Sequence, residues 1–248
     1  MPGRLGRIRL YPIKGLDPVE VAEAEILTCG ALAFDRRWAL RDARGRLVNG
    51  KNYAAVQRIR ARFDLAQAQV RLNGAPFSLV HDGPAIAQWF SARLGEPLEW
   101  IDNPDGGFPD DMDSPGPTLV STGSLEQVAL WFGLSVEQVR LRFRANLEIE
   151  GVEPFWEDRL YGDCVRVGEA VFAAVNPCQR CVVPSRDPLT GVQDASFQKR
   201  FAELRRAHLP AFARATLFDH YYRFAVNTRI TAARAGLRLR LGEAVSAG

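Results

Sequence analysis

The sequence predicts a mainly β protein with some α, an α+β chain built as two barrel-like halves. Three observations predict it. Short apolar–polar alternations of period two recur along the chain between turn residues. Only a few segments carry the 3.6-residue apolar spacing of a helix. A stretch rich in Asp, Gly and Pro, "DNPDGGFPDDMDSPGP" (102–117), has no periodicity and divides the chain. The expected boundaries are a β-barrel-like domain at 1–100, a linker or exposed loop at 101–117, and a second β-barrel domain at 118–248.

In the first half, "GRIRLYPI" alternates and stops at Pro12, and "EVAEAEIL" alternates apolar with acidic residues. "RRWALRDARGRLVNG" reads as strand, turn, strand. "DLAQAQVRLNGAPFSL" reads as a hairpin turned at Asn73–Gly74, residues that accept the positive φ of a tight turn. "GPAIAQWFSARLG" predicts a helix over 83–94, closed by Gly95. In the second half, "STGSLEQVALWFG" predicts a helix capped by Ser124, with Gln127 at the spacing of a capping box. "SVEQVRLRF" runs into "RANLEIEG". "DCVRVGEAVFAAV" is a strand pair turned at Gly168, and "ASFQKRFAELRRAHL" is an amphipathic helix. "HYYRFAVNTRI" and "GLRLRLGEAV" close the chain as strands.

At 248 residues the chain is long enough to bury a full core. A net charge of +3 from scattered basic residues lacks the dense basic stripe of a nucleic-acid binder. No apolar run approaches the length of a membrane span. The N-terminus "MPGRLGRIRLYPIKG" has no apolar core or cleavage site of a signal peptide. Four cysteines are too few for a disulfide scaffold in a chain of this length, so a reduced, cytoplasmic setting is expected.

Two of the cysteines, Cys178 and Cys181, stand together in "VNPCQRCVVPSRDPLTGV". A zinc site needs four ligands, and the other cysteines and the three histidines have no ligand spacing. A redox dithiol needs a helix N-terminus behind the first thiol, and "VVPS" is not a helix start. Two buried, inert thiols remain an open reading. Against it, Arg180 adjoins Cys181, and a nearby cation favours the thiolate that ligates metals. The polar turn "RDPLTG" also places the thiol at a strand end near solvent.

"NPCQRCVVPSRDPLTGV" resembles the signature of MOSC domains, the molybdenum-cofactor sulfurase C-terminal family. "RLYPIKGLDPVEVAEAEILTCGALAFDRRWALRDARGRLV" resembles the β-barrel domain that precedes MOSC, and "FRANLEIEGVEPFWED" resembles the family's F-R-x-N stretch with its acidic pair. Together these matches cover nearly the whole chain, in the family's order. The family includes the mitochondrial amidoxime-reducing component and bacterial relatives acting on N-hydroxylated bases. The resemblance implies a molybdenum–pyranopterin cofactor ligated by the second cysteine, here Cys181, as metal ligand and catalytic residue. It implies a cofactor-binding set of Lys14, Gly15, Arg36, Thr122, Ser124, Arg144, Asn146, Gln179 and Arg180 drawn from both halves. In that set the arginines would fork onto phosphate oxygens, Asn146 would read a pterin edge, and Thr122 and Ser124 would present a helix N-terminus to an anion. Gly15 and Gln179 depart from the family's usual Ser and small residue. Glu157–Asp158 and Asp163 are candidates for moving protons.

The implied function is a molybdenum-dependent oxidoreductase that reduces N-hydroxylated or related small molecules. The chain lacks the cysteines for its own iron–sulfur cluster, so electrons would come from a separate ferredoxin- or cytochrome b5-like protein with its reductase. The alternative is a sulfur-carrier or cofactor-handling module with Cys181 as the persulfide or ligand site.

Overall fold

The computed structural model describes residues 3–232 and 236–248. Among the described residues fifteen strands and four α-helices follow in chain order. They are β1 (Gly3–Leu10), β2 (Val19–Val21), β3 (Glu23–Glu25), β4 (Trp38–Asp42), β5 (Ala61–Asp64), β6 (Gln69–Leu72), β7 (Ala75–Ser78), α1 (Gly83–Leu94) and β8 (Leu98–Asp102). After a long connection come β9 (Leu119–Ser121), α2 (Thr122–Phe132), α3 (Val136–Phe143), β10 (Leu147–Glu150), β11 (Cys164–Val167) and β12 (Ala170–Gln179). The chain finishes with α4 (Phe197–Ala207), β13 (Arg223–Ile230), β14 (Arg238–Arg240) and β15 (Ala244–Ala247). The protein is mainly β with some α, as expected.

The main sheet runs β10-β9-β13-β12-β11-β15-β1-β2, and an added β1–β10 pairing closes seven of these strands into a ring. The strand that closes it is the first in the chain. β1 pairs antiparallel with β10 through Leu5↔Ile149 and Ile8↔Leu147, and with β15 through Gly3↔Val245. An irregularity in the strand between Leu5 and Arg7 re-phases its alternation, so that both Leu5 and Ile8 point inward, where they join Leu147, Ile149, Val165, Phe172 and Val226 in one core. So residues 3–10 belong to the barrel formed mostly by the second half.

The rest of the first half forms small sheets, β4–β8 and β5-β6-β7, packed with α1 around Trp38, Leu40, Val70, Leu72, Ile86 and Phe90. The β6–β7 hairpin turns at Asn73 (φ 47) and Gly74 (φ 92), as their types predict. Helix α1 ends at Gly95 in a left-handed cap, also as predicted. Helices α2, α3 and α4 pack outside the barrel around Val128, Val139, Phe143, Phe197, Phe201 and Phe224.

Ser124 is not the cap of α2. Ser121 is: its side chain accepts the Ser124 amide, and Ser124 lies buried in the first turn. The strand β9 feeds the helix without a loop, so the helix begins earlier than the polar cluster implies. A complete capping box occurs instead at Ser135 and Gln138, opening α3.

If β1 is part of the barrel core, Ile8→Ala should destabilise the whole barrel by about 2–4 kcal/mol, the cost of deleting a buried aliphatic side chain. Denaturant unfolding would measure this, and a loss below about 0.5 kcal/mol would mean the closing strand is dispensable.

Candidate functional site

Strand β1 ends where Pro12 enters, and the next residues zip against the segment before β4. The Tyr11 amide donates to Asp35 Oδ1 (2.9 Å), the Arg36 amide to the Tyr11 carbonyl (2.9 Å), and the Lys14 amide to the Trp38 carbonyl (2.8 Å). This register places three motif residues of the first half side by side. Lys14 is 6% exposed, and its Nζ donates to the Phe108 carbonyl (2.8 Å) and to Asp110 Oδ1 (2.6 Å). Burial pushes the Lys14 ammonium below the usual lysine range, with Asp110 pulling it back and Arg36 and Arg144 adding to the fall. Gly15 has φ +90, and a Cβ there would lie 3.2 Å from the Val48 carbonyl oxygen. Any side chain at this position is strained, and glycine removes the strain.

The second half supplies Arg144 at the C-cap of α3, in the left-handed region (φ 54) where glycine is commonest. Arg36 is also left-handed, at φ 51. Both guanidiniums lie over the ring of fully buried Tyr11, at 5.2 Å for Arg36 and 4.1 Å for Arg144. Arg36 also pairs with Asp35, but the hydrogen bond of Arg144 goes to a carbonyl, Leu16 O, at 2.7 Å. Burial lowers the affinity of Arg144 for its proton, Tyr11 opposes this, and Arg36 adds to it. The cluster therefore holds more positive charge than its carboxylates neutralise.

Arg180 links this cluster to the cysteines. Its guanidinium donates to the Phe143 carbonyl (3.0 Å), one residue before Arg144, and to the Phe224 carbonyl (2.8 Å). Cys178 is buried, and burial raises its thiol above the ordinary range. Arg180 and Arg36 oppose that rise and Asp110 adds to it, which puts Cys178 in the field of the same cluster. Cys181 is exposed, and its Sγ accepts the Val183 amide at 3.5 Å. The turn that follows Cys181 is braced by buried Arg142, which donates to the Pro184 carbonyl (2.8 Å) and the Arg186 carbonyl (2.6 Å). Gln179 is exposed at the end of β12.

Asn146 sits beside Arg36, 3.4 Å from its guanidinium, but its amide is occupied. It donates to the Arg9 carbonyl (2.9 Å) and accepts from the Thr118 amide and hydroxyl (3.2 Å each), so it ties β1 to the start of β9. Among the described residues no hydrogen bond joins Thr122 or Ser124 to the cluster. The Thr122 hydroxyl donates to Glu148 (2.9 Å), and the Ser124 hydroxyl accepts the Phe155 amide (2.6 Å).

The acidic candidates also lie apart. Asp163 forms an exposed pair with Arg214. Asp158 is buried against Arg205 and Tyr161. Glu157 is buried, accepts the Ser121 amide through Oε2, and leaves Oε1 without a partner. Sequence reading missed Tyr11, Asp35, Asp110 and Arg142. Tyr11 and Asp35 lie within the family-like stretches of the first half, but Asp110 and Arg142 carry no signal in the sequence beyond their charge.

Fold and site together define a barrel protein with a cation-lined site joined to a segment that carries an exposed thiol. The chain belongs to the MOSC family, matching the MOSC N-terminal beta barrel domain over residues 2–77 and the MOSC domain over 117–246. It is similar to proteins described as molybdenum cofactor sulfurase. The Drosophila grimshawi protein is 25% identical over 215 residues, covering 72% of this chain and 27% of that protein. The Homo sapiens protein is 22% identical over 258 residues, covering 82% of this chain and 29% of that protein. The chain thus spans under a third of the length of these relatives. A crystal structure of the YUAD protein from Bacillus subtilis aligns over 100% of this chain and 96% of its own, with 11% identity and a TM-score of 0.44. No helix among the described residues is long and apolar enough to cross a membrane.

Two outcomes follow from the site. In the folded, metal-free protein, Cys181 should react with iodoacetamide at least about tenfold faster than Cys178, read by peptide mass spectrometry; equal rates would contradict the burial difference. Burial, with Asp158 beside it, pushes the Glu157 carboxyl from 4.5 up to about 7. The folded state therefore holds a proton that the unfolded state releases between about pH 4.5 and about 7, and stability falls as pH rises across that window. Glu157→Gln should flatten the fall, which amounts to about 3 kcal/mol at about 1.4 kcal/mol per pH unit. Unfolding at a series of pH values would measure it.

Proposed function

We propose that this chain binds a molybdenum–pyranopterin cofactor between the Lys14–Arg36–Arg144 cluster and the cysteine segment. In this reading it uses the cofactor to reduce N-hydroxylated or related N-oxygenated small molecules. The observation that carries the reading is the donor set: surplus, partly buried cations linked through Arg180 to an exposed thiol. Arginine and lysine at such a site suit a phosphate, and a thiolate suits a soft metal already bound to sulfur. Lys14, Arg36 and Arg144 would hold the anionic end, and Cys181 would ligate the metal. Arg180 and Arg142 would hold the backbone on either side of that thiol, and Asn146 would brace the cluster through its backbone contacts. Gln179, exposed beside the segment, would line the approach of the substrate.

When bound, the cofactor would supply a two-electron redox couple. Reducing an N–OH group to N–H takes two electrons and two protons and releases water. The electrons would come from a separate donor protein, ferredoxin- or cytochrome b5-like, with its reductase. A second reading is favoured by the sulfurase descriptions of the relatives and the exposure of Cys181. There Cys181 would carry sulfur or hold the cofactor for delivery.

Protein made in a host with intact pterin synthesis should contain close to one molybdenum per chain and oxidise reduced viologen with an amidoxime. Cys181→Ser should lose both properties while keeping the fold. Cys178→Ser should keep the metal and cost on the order of 1 kcal/mol of stability. Cyanide-labile sulfur on Cys181, with no turnover on any N-oxygenated substrate, would replace this reading with the second.

A further inference from the structure

The loop 103–117 is built as a strap across the cation cluster. It is anchored at one end by the Asn103 amide on the Arg37 carbonyl and the Phe108 amide on the Arg36 carbonyl (2.9 Å each). At the other end the Gly116 amide donates to the Thr228 carbonyl (3.0 Å) and the Thr228 hydroxyl to the Pro117 carbonyl (2.7 Å). Between the anchors, Asp110 reaches Lys14 and Asp111 accepts from Asn227 (3.1 Å). Three cations, Lys14, Arg36 and Arg144, draw the Asp110 carboxyl below its ordinary range.

The two carboxylates of the cluster are held differently. Asp35 is packed in, with its side chain 11% exposed and bonded to the Tyr11 amide and to Arg36. The Asp110 side chain is 82% exposed, with Lys14 as its one side-chain partner among the described residues. Asp35 is packed into the site, whereas Asp110 meets it through an exposed side chain between the two anchors of its loop.

We infer that Asp110 is a displaceable internal counter-ion that makes this cluster selective for dianions, phosphate monoesters above all, over monoanions. The inference rests on reading the cluster as an anion site. Replacing the Asp110 carboxylate with a monoanion leaves the local charge unchanged, and the incoming ion loses its translational freedom and hydration. A dianion brings one further negative charge to cations that lack one, and its three oxygens can meet forked donors that a single carboxylate leaves idle. Asp110 thus excludes weak competitors and yields to the ligand that carries enough charge.

The test is titration calorimetry of the full chain with inorganic phosphate and with acetate, at about pH 8 where the phosphate is a dianion, and at matched ionic strength. Wild type should bind phosphate and not acetate. Asp110→Asn should bind both, with phosphate about tenfold tighter, equivalent to about 1.4 kcal/mol. Asp111→Asn, which changes the neighbouring carboxylate, should match wild type. In wild type, phosphate should also speed amide exchange over 108–113, a measurement that needs no variant. Phosphate affinity unchanged or weakened in Asp110→Asn, or exchange unaffected by phosphate, would overturn the displacement and leave the anion site standing. No phosphate binding by wild type or either variant would overturn both.

Discussion

Two guanidiniums are held over one buried tyrosine ring, and much of the site depends on that arrangement. Arg36 comes from the first half and Arg144 from the end of α3, over a hundred residues later. The ring attracts both, but they repel each other, and a single partner carboxylate, Asp35, is packed permanently beside them. The arrangement holds because Tyr11 is the residue next to the strand that closes the barrel. Its amide and carbonyl are bonded to Asp35 and Arg36, and its hydroxyl donates to the Ala145 carbonyl (3.3 Å). The segment that closes the barrel therefore also positions the cation cluster.

The backbone adds to the constraint. Arg36 and Arg144 both take left-handed conformations that cost a non-glycine residue of order 1 kcal/mol each. Glycine at either position would remove the strain and the charge together. A third strained residue, Phe34 (φ 68), precedes them. Three of the left-handed non-glycine residues, Phe34, Arg36 and Arg144, thus lie where the cations gather.

Much of this was legible in the sequence because it is local. The hairpin at Asn73–Gly74, the helix ended by Gly95 and the strand pair turned at Gly168 follow from conformations open to those residue types within a few positions. The amphipathic pattern of α4 was equally plain, although one buried position in its stripe is an arginine, Arg205. That residue is tolerated because Asp158, nearly fifty residues earlier, is buried against it. The cap of α2 was misplaced for a similar reason. Ser121 and Ser124 are chemically equivalent candidates, and the choice was made by where β9 pairs with β10.

The sequence by itself determined most of the strands and turns and the family motifs, since each depends on neighbours a few residues away. Only the tertiary structure decided that residues 3–10 close the barrel of the other half, because alternation marks a strand and leaves its partner open. Only the tertiary structure committed Asn146 to backbone contacts and engaged the Thr122 and Ser124 hydroxyls in bonds of their own. It alone turned Asp110 from one acid in a polar loop into the counter-ion of Lys14, because charge pairing across ninety-six residues is set by how the loop is anchored and not by its composition.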